Sequence, residues 1–406
     1  MRFFLTNLLV VATLLWSCDV PMAFAEEGQT LSPEALFGES AILIDATTGQ
    51  VLFEKNPHEK LYPASITKIA TGIYAIEKGN PEDIVTVSKK ARYEEGTRVY
   101  LGEGEQVSLK KLEYGLLMHS GNDAATAIAE HMSQTTEQFA EQLNAYLQEK
   151  VGVTETHFTN AHGLHDPDHY TTASDMSKIA QYAMKNPIFR EIVGTNRLPW
   201  DGKEWKSELI NHNKLLRDYE GATGIKNGFT DQAMHTLVGS AKRGNTELIA
   251  VTMKAASSPY AYKDVMKMLD YGFAGFETRQ IATRGNVYTE LAVPGSDSVV
   301  TYIAMDDLYT TVPIGAEPLV TLSADGQLSV QAGPLSALYP LHRNSPPVAH
   351  QQAAGAALTN EPEHPFARYG LMVVWLGLNL FLIAFTFSKR RRQRRLKQRS
   401  LQRRAY

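Results

Sequence analysis

A serine and a lysine three residues apart, Ser65 and Lys68 in the stretch Tyr62-Pro63-Ala64-Ser65-Ile66-Thr67-Lys68, place a nucleophile and a base on one helical turn. Residues at that spacing share a helix face, so the Lys68 amine can reach the Ser65 hydroxyl. A buried, crowded lysine loses its proton near neutral pH and can then take one from a hydroxyl. Unpaired N–H groups at a helix N-terminus favour negative charge, which suits an alkoxide and an oxyanion. The chemistry on offer is acyl transfer through a serine ester. By itself the motif is weak, because ordinary residue usage gives about one Ser-x-x-Lys in a chain this long, and Ser108 to Lys111 is a second. Ser108 precedes the amphipathic run Leu109, Leu112, Leu116 and Leu117 and reads as a helix N-cap.

Two further segments carry polar groups at turns. Ser120-Gly121-Asn122 breaks a helical pattern and can aim a hydroxyl and an amide into a cleft, although a lone Ser-Gly-Asn is more often a plain turn. Lys226-Asn227-Gly228 ends a strand pattern, where glycine allows close approach to a ligand and lysine brings positive charge. Alone, it too is most often a β-turn.

The elements that must position these groups follow from periodicity. Ile66, Ile69, Ile73 and Ile76 give the Ser65 helix a core face, and Gly79-Asn80-Pro81 ends it. Ala41 to Ala46 and Gln50 to Lys55 read as a hairpin before it. Glu82 to Val107 is polar and turn-rich with short β-like pieces; the helix that Ser108 opens runs to Met118, helical character resumes from Asp123 to His131, and its spacing recurs over Phe139 to Leu147 and Ser174 to Met184. Ala222 to Phe229, Met234 to Ala241 and Thr246 to Met253 read as three strands, with Gly244-Asn245 as a tight turn, and Tyr262 to Leu269 as a closing helix. Strands, a long helical insert and strands again predict an α+β fold, an antiparallel sheet flanked by helices. Short alternating runs over residues 279–341 predict a small all-β domain.

The chain has 406 residues, too many for one ordinary domain. Residues 1–25, with Arg2, an apolar stretch and an Ala23-Phe24-Ala25 exit, have the pattern of a signal peptide; a lipoprotein-type cut before Cys18 fits less well because Trp16 precedes it. Cys18 is the single cysteine, so cleavage would leave a mature chain from Glu26 without disulfides, as suits a bacterial envelope protein. Tyr369 to Phe387 is apolar, uncharged and long enough to cross about 30 Å of hydrocarbon. The basic tail 388–406 that follows predicts a single-pass membrane protein with its C-terminus in the cytoplasm, joined by the linker 342–368 to an exterior portion. Setting aside Arg2, Asp19 and the ten basic residues of the tail from the chain's 40 Lys plus Arg and 44 Asp plus Glu leaves 29 against 43, about −14. An exterior portion that acidic does not predict a nucleic-acid partner.

Ser-x-x-Lys, Ser-x-Asn and Lys-x-Gly in this order change the odds, and the chain resembles the low-molecular-weight penicillin-binding proteins that are serine-type D-alanyl-D-alanine carboxypeptidases. The resemblance spans about residues 38–275. It includes residues 49–56, Ser120-Gly121-Asn122-Asp123-Ala124, His162-Gly163-Leu164, His169-Tyr170-Thr171-Thr172-Ala173, Gly224-Ile225-Lys226 and Asp270-Tyr271-Gly272-Phe273. It implies a β-lactamase/transpeptidase-like domain over 26–278 that removes the terminal D-alanine from peptidoglycan stem peptides, without a cofactor, and is trapped by β-lactam antibiotics. By the same resemblance Ser65 is the nucleophile, Lys68 its base and Ser120 the relay to the leaving amine. Asn122 holds the substrate amide and orients Lys68, Lys226 keeps the site positive, and the N–H groups of Ser65 and Phe229 form the oxyanion hole, with Asn227 and Gly228 lining the substrate.

Two departures stand out. Asn227 occupies the place of a family threonine whose hydroxyl helps bind the terminal carboxylate, which implies altered affinity. The interval from Lys254 to Lys263 has no arginine to meet that carboxylate, leaving Lys254 and Lys263 as weak candidates, with Arg243 expected in solvent. His157, His162, His165 and His169 are close enough to consider a metal, but their spacing on a turn-rich segment predicts ordinary surface or turn histidines and no metal. A Ser-His-Asp triad is not needed with Lys68 in place. A β-lactamase is the first alternative, disfavoured by the lack of a Glu-x-x-Leu-Asn segment after Asn122; a penicillin-binding scaffold with little turnover is the second.

Overall fold

The computed structural model describes residues 30–292, 299–323 and 325–344. The segments read as signal peptide, membrane span and basic tail, with nearly all of the linker, lie outside the described residues, and among the described residues no helix is long and apolar enough to cross a membrane.

A hairpin of β1 (Ser40–Asp45) and β2 (Val51–Lys55) opens the fold. A single 3₁₀ turn, Ala64–Thr67, leads into α1 (Lys68–Lys78). The helical insert continues with α2 (Leu109–Met118), α3 (Asn122–Met132), α4 (Thr136–Val151) and α5 (Ala173–Met184). The chain then returns to the sheet as β3 (Ala222–Thr230), β4 (Met234–Arg243) and β5 (Thr246–Ala255), and α6 (Ser258–Gly275) closes the unit. The strands order as β2-β1-β5-β4-β3, every pairing antiparallel. Strand β1 enters between β2 and β5, so the hairpin that precedes Ser65 and the Lys226 strand belong to one sheet.

Alternation along the strands divides the core. Ile42 and Ile44 of β1, with Val238, Ile249 and Val251, face the helical insert. Ala41 and Leu43, with Leu237, Leu248 and Ala250, face Val265, Met268 and Leu269 of α6. Ile66, Ile69 and Ile73 are wholly buried as their spacing predicts, and Ile76 is partly buried at the edge of that core.

The helix ends obey local chemistry. Ser108 accepts from the Lys111 N–H, which settles the second Ser-x-x-Lys as a cap. Thr135, Thr172 and Ser257 cap α4, α5 and α6 in the same way. Helix α6 is longer than the spacing of Tyr262 to Leu269 indicates, because Ser257-Ser258-Pro259 starts it a turn earlier. A helix at Pro187–Gly194 and a hairpin of Arg197–Asp201 with Lys206–Ile210 are additions to the sequence reading.

From Phe276 onward the described chain is short β strands around a small core of Val300, Tyr302, Leu328 and Val330. Buried Asp45, in the β1–β2 turn, accepts from the Thr47 and Thr48 N–H groups at 2.8 and 2.9 Å and from the Thr278 hydroxyl. Gln50 accepts from the Thr311 N–H at 2.7 Å, which ties the β module to the same turn.

Ile73→Ala removes a fully buried side chain from the helix that carries Lys68. It should cost about 2–5 kcal/mol in a denaturant unfolding curve, with an unchanged slope; a loss under about 1 kcal/mol would mean that this core does not hold α1.

Candidate active site

Ser65 sits on the 3₁₀ turn and Lys68 is the first residue of α1. In a 3₁₀ turn residues three apart eclipse, so the tighter winding stacks the amine over the hydroxyl, with Lys68 Nζ 3.1 Å from Ser65 Oγ. Ala64, just before the nucleophile, has a left-handed backbone at φ 51°.

Lys68 is completely buried. Its Nζ also lies 2.7 Å from Asn122 Oδ1 and 2.6 Å from the His162 carbonyl. Those two oxygens can only accept. A neutral amine has two N–H bonds, and once both are donated there, its lone pair is left for the Ser65 hydroxyl proton. The amide orientation is determined by its other side, because Asn122 Nδ2 donates to the Glu95 carbonyl at 2.6 Å; the flipped amide would set oxygen against oxygen and nitrogen against nitrogen. One Nδ2 hydrogen remains for a ligand.

Ser120 also has a left-handed backbone, φ 65°, in the break between α2 and α3. A non-glycine residue held there is a costly local choice of a kind that gathers at functional sites. The Gly121 and Asn122 N–H groups donate to Gly115 and Thr97 carbonyls at 3.0 and 2.7 Å, which anchors the break on both sides.

Strand β3 stands at the end of the five-strand order. Lys226 is 1 % exposed and donates to the Asn227 carbonyl at 3.0 Å. Gly228 brings this strand close to Ser65: a Cβ there would lie 2.7 Å from the Ser65 backbone nitrogen and 2.6 Å from Thr236 Oγ1. Only glycine lets the strand come that near. Phe229 is 55 % exposed, its ring 4.6 Å from that of His235. Asn227 Oδ1 is buried with no hydrogen-bond partner among the described residues.

Burial pushes the Lys68 amine well below the ordinary lysine range, and the charge of Lys226 pushes it further, against the pull of Asp123 and Glu94. Burial brings Lys226 down to about 7. These shifts follow from taking an ammonium out of water.

The structure brings Ser65, Lys68 and Asn122 into one hydrogen-bonded cluster, joined by the Gly228 approach of β3. His157 and His165 are exposed as expected, but the structure corrects the reading of the other two histidines. His169 is 1 % exposed and His162 is mostly buried; both are held near 3 chiefly by burial, and His162 contributes its carbonyl to Lys68. Periodicity carries no signal for a backbone acceptor; the chain turns there through Gly163 at φ 87°. Other residues missed are His119 and His212, whose rings lie 4.5 Å apart and both of which feel the charge of Lys226.

The candidate carboxylate binders fall elsewhere. Lys254 pairs with Glu39 at 2.6 Å, and Lys263 lies over the Tyr260 ring at 5.9 Å. Arg243 is not simply solvated: it stacks 4.5 Å over Phe273 and 5.1 Å over Tyr219.

Residues 27–257 match the family model described as D-alanyl-D-alanine carboxypeptidase. The chain is 36% identical over 303 residues to the D-alanyl-D-alanine carboxypeptidase DacF of Bacillus subtilis, covering 72% of this chain and 76% of that one. It is 30% identical over 325 residues to DacA of Escherichia coli, covering 76% and 79%. Penicillin binding protein 5 of Haemophilus influenzae superposes with a TM-score of 0.70 at 29% identity, over 77% of this chain and 98% of that one. Penicillin binding protein 6B of Escherichia coli does so at 0.63 and 30%, over 77% and 96%.

The two lysines set a pH dependence. Lys68 must be neutral to take a proton, and Lys226 must be charged to attract an anion. Both are depressed by burial, Lys68 further by the charge of Lys226 and against the pull of Asp123 and Glu94. Ser65 acylation should therefore climb with pH and then fall with an apparent midpoint near 7, the values belonging to the pair. Lys226→Arg, charged at every accessible pH, should abolish the descending limb in a stopped-flow pH profile; a descending limb that persists unchanged would contradict the assignment.

Proposed function

The chain belongs to the D-alanyl-D-alanine carboxypeptidase family, and from that premise we propose that Ser65 is the nucleophile of a serine-type carboxypeptidase acting on peptidoglycan stem peptides. The observation that carries this is the buried amine at 3.1 Å from Ser65 Oγ, with both of its N–H bonds committed to acceptors.

Ser65 Oγ attacks the carbonyl of the penultimate D-alanine while its proton passes to Lys68 Nζ. The oxyanion meets the N–H groups of Ser65 and Phe229; the approach of Gly228 to the Ser65 nitrogen supports that pairing. Ser120 relays the proton to the departing amine, the peptide bond breaks, and D-alanine leaves. Water then hydrolyses the ester and returns the shortened peptide. Lys226 attracts the terminal carboxylate, a role favoured by the engagement of Lys254 and Arg243 elsewhere. Asn122 offers its remaining N–H to the substrate amide.

A β-lactam presents the same acyl group and esterifies Ser65, but its amine stays tethered. The loop facing Lys68 offers a backbone carbonyl, that of His162, and this favours a long-lived adduct over a β-lactamase. We place the catalytic unit outside the membrane. The signal-like residues 1–25, the apolar run Tyr369 to Phe387 and the basic tail 388–406 support this arrangement.

Mass spectrometry of the penicillin-treated full chain should find one adduct, on the peptide containing Ser65, and Ser65→Ala should abolish it together with D-alanine release. An adduct elsewhere removes the assignment. Rapid turnover of penicillin would favour a β-lactamase, and an adduct without peptide hydrolysis a scaffold. Asn227→Thr gives the terminal carboxylate a hydroxyl in place of an amide whose oxygen has no donor. It should lower the KM for peptide about 2- to 10-fold, the worth of one hydrogen bond, measured by D-alanine release; a KM that is unchanged or higher would show that residue 227 does not meet the carboxylate.

A further inference from the structure

The two carbonyls that precede the nucleophile are each held by a buried threonine. Thr236, on β4 and 1 % exposed, donates its hydroxyl to the Pro63 carbonyl at 2.8 Å. Thr67, wholly buried, donates to the Ala64 carbonyl at 2.9 Å. Thr67 is itself held from behind, its Oγ1 2.8 Å from His169 Nε2. His169 Nδ1 accepts from the Thr159 N–H at 3.0 Å, so Nδ1 carries no proton and Nε2 does. Every proton then has one direction: from the Thr159 N–H to His169, from His169 to Thr67, and from Thr67 to the Ala64 carbonyl. Phe158 stacks on the imidazole with centroids 5.0 Å apart, which fixes the ring plane.

The chain of bonds ends on the residue with φ 51°, a conformation that is costly for an alanine. The space around that carbonyl is closed as well. A Cβ on Gly163 would lie 1.9 Å from the Ala64 oxygen and 3.0 Å from Thr67 Oγ1. The left-handed residue directly precedes Ser65, and the bonds that hold that turn are buried.

We propose that Thr67 and His169, seconded by Thr236, are positioning residues that hold the strained turn at Ala64 and so aim Ser65 at Lys68 and at the oxyanion position. None of the three touches the reacting atoms. The inference rests on Ser65 being the nucleophile, so wild-type labelling at Ser65 is established first in the same assay; its absence would fell the reading and the inference together, whereas labelling followed by normal variants fells the inference alone.

The experiment is stopped-flow acylation of the full chain by a chromogenic penicillin, resolving the limiting acylation rate from the half-saturating concentration, with each rate scaled to the folded fraction. Thr67→Val, which keeps the shape and loses the hydroxyl, should slow the limiting rate about 10- to 100-fold, as misplacement of a reacting group does. Half-saturation should stay within about 2-fold, and the ascending pH limb should not move, because binding and the Lys68 base are untouched. Thr67→Ser should recover the rate to within about 3-fold of wild type. A Thr67→Val rate equal to wild type, a loss lodged in half-saturation, or a failure of Thr67→Ser to recover would each overturn the proposal. Should Thr67→Val not fold, His169→Gln, whose amide can still donate to Thr67, is compared with His169→Phe, which cannot. The glutamine variant should be at least about 10-fold the faster, and equal rates would overturn the proposal.

Discussion

Placing an ammonium in a dry interior is among the costlier things a protein does, and the rest of this fold exists around one such lysine. Lys68 is completely buried beside a second buried lysine, and the arrangement is tolerable only if the amine gives up its proton. Once it does, Asn122 Oδ1 and the His162 carbonyl take its two N–H bonds and its lone pair faces Ser65. The desolvation that destabilises the charged form therefore favours a neutral amine beside the Ser65 hydroxyl. Asp123 and Glu94 temper the shift, so the group remains basic enough to deprotonate a hydroxyl.

That lysine draws its partners from separated stretches of chain, and the topology explains how they meet. The hairpin β1–β2 pairs with β5, the β5–β4–β3 meander brings Lys226 and Gly228 alongside the 3₁₀ turn, and the α2–α3 break delivers Asn122. The loop at 157–171 closes from the far side through a bridge between Leu61 and Thr171. Each approach occurs where a side chain is missing or the backbone is left-handed: Gly228, Gly163, Ala64 and Ser120. Strain and close contact are concentrated at the nucleophile, while the α4 and α5 helices beyond it are conventionally capped.

Much of this was legible in the sequence, for reasons that differ by residue. The isoleucines of α1 announced their face by spacing, and Ser108 announced a cap. The strands β3 to β5 declared themselves by β-branched runs around Gly244-Asn245. Ser65, Lys68 and Asn122, which meet in one hydrogen-bonded cluster, could be singled out because side-chain chemistry in a fixed order is what a motif records. The His162 carbonyl, the Glu95 carbonyl and the bonds beneath Ala64 were not, because a backbone acceptor has no letter of its own. His162 and His169 misled for a related cause: a turn-rich segment looks exposed, yet His169 is buried behind Thr67 with both ring nitrogens engaged. Lys254 shows the converse, a cation considered for the ligand that pairs with Glu39, while Arg243, expected in solvent, lies over two rings.

The central claim is that Lys68 works as a neutral amine. Its ionisation can be followed directly by NMR titration of the protein with lysine labelled at Cε, the resonance being identified by its disappearance in Lys68→Arg. A midpoint displaced well below the ordinary lysine value of 10.5 is the result expected. A resonance that titrates at that ordinary value, in a protein that still acylates, would contradict the account.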